Sequence, residues 1–536
     1  MSSLGRSSAL LASGTLVSRV LGFAKAIVLA QAIGVVGSGS ADAFSVSTIV
    51  PASIYAIIGG GLLSAVLVPQ IVRASRGPDG GGAYVNKLVT LALIGFAAIG
   101  ALATLSAPLL VDLFTSVDVP AANVRLATAF AYWSLPQIFF LGLYALLGEV
   151  LNARKSFGPF TWAPVLNNVI GIASIGVFMA VYGADPDRAP GDWSPAMIAL
   201  LAGGASLGIA TQAIVLFAFW RRVGLSYRPD FGWRGVGLGS AARAAGWTLG
   251  MLVAGQVAGV IETNVSLIAT GRGASAATMA TSWLIFMLPH SIITVSIVTA
   301  LYTTMSEHAS RGDLTALRGD LSTALRAVAL ALTLAAAVLI VCAGPFARVF
   351  TGDFGDVQQM AAVIVAYLVG LVPFSLLFVV QRVFYSLGDT RTPFVFTIVQ
   401  VVLVIGGVLA CSLLPVDRIA MGIASVVSAA GAVQLVIASI LLRRKVAADP
   451  APIARSLLLD LAAAVPAGVA GYLVGLMLGA FRADGFAMSG GAAAILTMAV
   501  LGAVMSVVYL GALRLLRSPD LAAITAILGR RFGRRA

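Results

Sequence analysis

The chain has 536 residues, of which 59% are hydrophobic and only 10% charged. Soluble domains carry roughly 25% charged residues, so a water-soluble enzyme is excluded. The charges are uneven, 34 Lys+Arg against 21 Asp+Glu, for a net +13, and in a membrane protein such an excess first reports sidedness rather than a nucleic-acid partner.

A hydrocarbon core of about 30 Å needs about 20 helical residues. The sequence predicts fourteen such spans, near 8–34, 41–72, 87–112, 122–151, 158–183, 195–220, 241–270, 276–305, 321–350, 357–387, 393–414, 418–442, 452–480 and 487–516. The first follows a short polar start, Met1 to Arg6, and is too long for the core of a signal peptide. Period-two strands are absent, and backbone groups in lipid must bond within their own helix. The fold class expected is an all-α polytopic membrane protein.

Fourteen spans put both termini on one side. The even-numbered loops and termini hold 26 Lys/Arg and 10 Asp/Glu, including Arg443, Arg444 and Lys445 and the tail Arg530, Arg531, Arg534 and Arg535. The odd-numbered loops hold 6 basic and 10 acidic residues. The positive-inside rule therefore places both termini in the cytoplasm. Cytoplasmic basic loops also attract anionic lipids. Three charges remain inside spans: Arg19 and Lys25 in the first and Glu262 in the seventh. A buried charge is costly unless it faces a cavity or partner, so these are candidate cavity residues.

Two copies of a six-span unit are displaced by about 237 residues. Val20 matches Val257, Gly22 matches Gly259 and Gly34 matches Gly271; Pro51 pairs with Pro289 and Pro136 with Pro373. The same offset aligns Asn152 and Arg154 with Asp389 and Arg391. Six spans is an even number, so the lobes are parallel-related. The boundaries expected are 1–220 for the first lobe, 221–240 for an interfacial linker with Tyr227 and Trp233, 241–445 for the second lobe, 446–517 for two extra helices, and 518–536 for a basic tail. Lys25 aligns with Glu262, which suggests a charge pair across the inter-lobe cleft, a gate that an anionic substrate would break. Pro51, Pro136, Pro289 and Pro373, with Gly60 in the second span, are candidate hinges because proline removes a helix hydrogen bond. His290, beside Pro289, is a candidate proton-responsive group.

Cys342 and Cys411 stand singly in apolar runs, so neither a disulfide framework nor a metal site is expected. No phosphate-cradling GxxxxGK[ST] loop occurs. The chain is expected to use no ATP and no cofactor, and to draw on the membrane potential or an ion gradient.

The segments SRVLGFAKAIVLAQAIG at 18–34, ADAF at 41–44, PASIYAIIGGGLLSAVLVPQIV at 51–72 and LNARKSFGPFTWAPVLNN at 151–168 resemble the MurJ (MviN) family of lipid II flippases. The resemblance runs through essentially all fourteen spans and extends to the larger group of multidrug exporters and polysaccharide flippases. It implies two six-helix lobes, with the last two helices grooved for a polyprenyl tail. The implied substrate is undecaprenyl diphosphate carrying the peptidoglycan precursor, moved from the inner to the outer leaflet of the bacterial cytoplasmic membrane by alternating access. It further implies that Arg19 and Lys25 hold the diphosphate, that Asp42, the family's acidic residue after the first loop, is a substrate-cavity residue with them and Glu262, and that cell-wall synthases are candidate partners. The sequence departs from the family's basic pattern at Tyr55 and Ala56 in the second span and at Trp283, Leu284 and Met287 in the eighth. Two other functions fit: export of a different substrate, or a non-transporting scaffold for cell-wall synthesis.

Overall fold

The computed structural model describes residues 3–63, 81–154, 156–224, 226–232, 238–447, 449 and 451–521. Among the described residues the regular structure is all helical, with no strand. Fourteen helices among the described residues are long and apolar enough to cross a membrane. In chain order, spans 1 to 7 are Ser13–Ile33, Gly39–Gly59, Gly82–Leu105, Ala121–Ala153, Gly158–Tyr182, Pro195–Phe219 and Gly246–Ala269. Spans 8 to 14 are Ala276–Ser310, Leu314–Val341, Phe354–Ser386, Arg391–Cys411, Val416–Val446, Ala451–Met477 and Gly491–Leu515. Long uninterrupted hydropathy makes them legible. Of the residues named above, Trp233 and the basic tail from 522 onward lie outside the described residues.

The backbone breaks at matching places in the two copies. Span 3 ends at Ser106 and a short helix, Ala107–Phe114, carries Pro108; span 9 ends at Cys342 and a short helix, Ala343–Arg348, carries Pro345. Span 4 breaks between Ser134 and Gln137, at Leu135 and Pro136, and span 10 breaks at Gly370, three residues before Pro373. Span 2 turns π-helical over Ala56–Leu63, just past Pro51, and span 8 over His290–Thr294, just past Pro289. A π turn opens the regular hydrogen-bond ladder and is common at functional sites. A further π segment, Ala199–Gly203, interrupts span 6.

The chain forms two compact units, residues 1–277 and 278–536. Span 7, expected to open the second lobe at 241, packs with the first unit. It lies against the π segment of span 2, and Asn264 Nδ2 donates to Leu113 O at 2.8 Å. The linker is docked as well. Tyr227 Oη and Thr90 Oγ1 are 3.1 Å apart, Asp230 N donates to Thr90 Oγ1 at 3.0 Å, and a helix resumes at Leu238.

In the first unit, one core cluster gathers Phe44, Phe130, Phe178 and Trp193 near the loop joining spans 1 and 2. Phe130 meets Trp193 edge-on at 5.1 Å, and Trp193 Nε1 donates to Ser40 Oγ at 2.8 Å. In the second unit, spans 13 and 14 pack on span 9 through Leu330, Ala463, Met505 and Tyr509, and Tyr509 Oη donates to Leu330 O at 3.0 Å. Arg326 of span 9 pairs with Asp520, which also accepts from Ser456 of span 13. The extra helices are thus bolted to the second unit by aliphatic packing and an ion pair.

Candidate functional site

Span 1 places Arg19 and Lys25 six positions apart. At 100° per residue that separates them by about 120° around the helix. Lys25 lines a cavity of about 270 Å³, enclosed by spans 1, 2, 4, 5 and 6 of the first unit. Thr48, Pro51, Gln137, Asn167 and Gly171 line it with apolar side chains, and no acidic residue does. A Cβ on Gly171 would come within 2.7 Å of Lys25 Cδ, so this glycine makes the channel for the lysine stem. Arg19, half-buried, is not among the residues lining the cavity.

The polar rim of that cavity is held in place by its neighbours. Gln137 Nε2 donates to Ser206 Oγ at 2.7 Å, and Asn167 Nδ2 donates to Gln212 Oε1 at 3.0 Å. The next residue, Asn168, bridges to Ser18 O of span 1 at 2.8 Å. Gln137 and Asn167 were missed as site residues in the sequence. Their available signals were position: Gln137 follows the mid-span Pro136, and Asn167 closes the LNARKSFGPFTWAPVLNN segment.

Both Lys25 and Glu262 belong to the first unit, and Glu262 is not among the residues lining the cavity around Lys25, which spans 1, 2, 4, 5 and 6 enclose. Asp42 does not line it either. It is fully buried outside the Lys25 cavity, in the first turn of span 2. Ser275 Oγ donates to its two carboxylate oxygens at 2.5 and 2.6 Å, and Ala277 N donates at 3.0 Å. The carboxylate therefore sits at the N-terminal ends of spans 2 and 8 together, where helix dipoles favour an anion. Beside it, Gly37 N donates to Gly273 O at 3.0 Å. The loop between spans 1 and 2 and the loop between spans 7 and 8 are clasped.

Arg391 opens span 11 and Asp389 lies two residues before it. Asp389 accepts from Thr392 N at 3.0 Å, Thr392 Oγ1 at 2.6 Å and Lys445 Nζ at 2.5 Å. Burial raises the Asp389 carboxyl, but the bonds from Lys445 and Thr392 outweigh it and hold the group at about 2. Asn152 lies in the last turn of span 4 and Arg154 is the residue that caps its C-terminus. Among the hinge candidates, Pro51, Pro136 and Pro289 sit at or within a few residues of the breaks described above, Pro373 lies just past Gly370, and Gly60 lies inside the π segment of span 2. His290 is buried, with Nδ1 3.0 Å from Ser375 Oγ and its ring against Phe374 and Phe378. At the positions where the basic pattern is missing, Trp283 stacks on Phe286 at 4.7 Å.

The family model described as "Lipid II flippase MurJ" matches residues 29–506. The chain belongs to the MurJ family. The probable lipid II flippase MurJ of Haemophilus influenzae is 25% identical over 447 residues, covering 77% of this chain and 82% of that protein. The Bdellovibrio bacteriovorus counterpart is 27% identical over 419 residues, 74% of each chain. Among solved structures, a lipid II flippase MurJ in an inward closed conformation superposes with a TM-score of 0.72 at 18% identity, over 95% of this chain and 99% of that one. An inward-facing MATE family transporter of the MOP superfamily gives 0.57 at 17% identity, over 76% and 93%. The fold of this MurJ-family chain is therefore that of a multi-pass membrane transporter, and the family is one of lipid flippases rather than enzymes.

Proposed function

We propose that this protein moves lipid II from the inner to the outer leaflet of the bacterial cytoplasmic membrane by alternating access. Family membership over residues 29–506 carries the reading. The Lys25 cavity supplies the chemistry: an ammonium among amide and hydroxyl groups, with no lining carboxylate, suits a diphosphate as a mobile point charge. Arg19, outside that cavity, meets the anion on its way in or out and contributes a planar two-bond fork.

The cycle turns on the paired breaks. Pro51 and Pro289, with the π turns that follow them, let spans 2 and 8 bend, while Pro136 and Pro373 do the same for spans 4 and 10. The Asp42–Ser275 clasp closes one end of this path and parts when the other end shuts. The step that resets the cycle draws on the membrane potential or an ion gradient. One elementary charge crossing the field is worth about 2.3 kcal/mol per 100 mV, enough for movement of Arg19 or Lys25 to bias it. Both termini are cytoplasmic by loop charge, and the basic loops hold anionic lipid at that face.

The test replaces a host's essential flippase with this chain and follows lipid II at the outer surface with a membrane-impermeant label. Labelling that recovers with the wild-type chain and fails with Lys25→Ala supports the reading. Normal insertion with no outward lipid II overturns it and favours a scaffold that recruits cell-wall synthases.

A further inference from the structure

The second unit contains a cavity of its own, of about 220 Å³, enclosed by spans 8, 10, 11 and 12. Spans 8 and 10 contribute Trp283, Phe286, Phe374 and Phe378; spans 11 and 12 contribute Thr397, Gln400 and Gln434; Gln381 comes from span 10. The aromatic rings hold one another in place, Trp283 stacked on Phe286 at 4.7 Å and Phe286 edge-on to Phe374 at 5.3 Å. None of the lining residues is charged. Gln434 Nε2 is engaged with Thr397 Oγ1 at 3.1 Å, whereas the side-chain amides of Gln381 and Gln400 make no hydrogen bond to a described residue. Half-buried amides left open in an apolar span need a partner.

The chemistry of the lining selects among ligand classes. An anion would find no cation there. A cation would find no acid, and it would meet the Arg382 guanidinium, which already lies over Phe378 at 4.7 Å. A hydrocarbon chain would leave the free amides unpaired. A ligand with an apolar face for the rings and hydroxyl or amide groups around its edge satisfies both sides at once. The volume of about 220 Å³ has room for a substituted six-membered ring.

We propose that this slot binds a single neutral pyranose ring, stacked on the aromatic side and hydrogen-bonded at its edge by Gln381 and Gln400. Applied to transport, it would take one ring of the sugar part of lipid II, and that extension rests on the function proposed above; binding of a ring by itself does not.

Gly431 of span 12 lines the slot, and a Cβ built there meets no atom within 4 Å. Gly431→Leu should therefore fill the slot without displacing the backbone. The experiment is saturation-transfer NMR on purified full-length protein in lipid nanodiscs, with methyl N-acetyl-β-glucosaminide as the probe and tetramethylammonium as the cationic control. Expected is transfer to the glycoside in wild type, weakened at least about tenfold in apparent affinity by Gly431→Leu and reduced by Gln400→Leu. Gly431→Ala, which adds only a methyl group to a helix, guards against misfolding and should retain binding. No transfer in wild type, transfer unchanged by Gly431→Leu and Gln400→Leu, or displacement of the glycoside by tetramethylammonium overturns the proposal. No lipid translocation is measured, so failure here and failure of the flippase reading are separate results.

Discussion

The two lobes share a backbone plan and fill it with opposite chemistry. At the common offset, Gln137 of the first lobe corresponds to Phe374 of the second, and Leu141 to Phe378; all four line the cavity of their own lobe. The first cavity has an ammonium with amides around it, and the second has an aromatic wall with free amides and no charge. What the repeat preserved is the set of helix breaks near Pro51 and Pro289, Ser106 and Cys342, and Pro136 and Pro373. Duplication thus fixed where the helices bend and left the side chains free to divide one amphipathic task, with charge handled in one lobe and uncharged polarity in the other.

The sharpest way to break this comparison is to remove its only charge. Lys25→Ala should lower outward lipid II labelling by at least about tenfold, the equivalent of one lost charge-assisted contact, while Lys25→Arg retains most of it. Equal activity of Lys25→Ala and wild type would make the first cavity structural. The hinges come next. Pro289→Ala restores a backbone donor beside the π segment of span 8 and should slow translocation several-fold, on the order of 1 kcal/mol in the barrier, without loss of thermal stability. The doubly substituted Pro51→Ala, Pro289→Ala protein should be slower than either single variant. Additive stability changes with unaltered rates would sink the hinge assignment.

The clasp gives a smaller effect with a distinct signature. Ser275→Ala leaves Asp42 with one donor fewer, costing about 1–3 kcal/mol, and should raise cysteine-reagent access at nearby positions more than it lowers stability. Unchanged access would mean that Asp42 only holds loops together. The smallest effect concerns Asp389. Its carboxyl is held at about 2, against about 3.9 for an unfolded aspartate. The group therefore binds more protons unfolded than folded below about pH 4. Its stabilisation is complete above that pH and is lost as pH falls from about 4 to 2, on the order of 1 kcal/mol after solvent screening. Asp389→Asn should flatten that segment of a thermal-midpoint-versus-pH curve; an unchanged slope would contradict the Lys445 and Thr392 bonds as its cause.

Much of the fold was legible because its signals are local. Twenty-residue apolar runs marked the spans, and prolines at one offset marked both the repeat and the helix breaks. The membership of span 7 was not legible, since it depends on which helices its faces meet. The role of Asp42 depends on a hydrogen bond to Ser275 across 233 positions, with no pattern in its own neighbourhood. One hint existed: Ser275 lies at the repeat position of Ser38, whose hydroxyl caps span 2. The offset that aligns Lys25 with Glu262 gives depth but not rotation about the helix, so it does not say which cavity each residue lines. The second cavity was concealed by its composition, because aromatic and glutamine side chains inside a span read as ordinary core until the helices bring them together.

The most direct test compares two substrates in vesicles containing this protein: lipid II and undecaprenyl diphosphate without its sugar. Lys25→Ala should slow both, whereas Gly431→Leu should slow lipid II and leave undecaprenyl diphosphate at the wild-type rate. If Gly431→Leu slows both alike, or Lys25→Ala slows neither, the division of charge and sugar between the lobes is wrong.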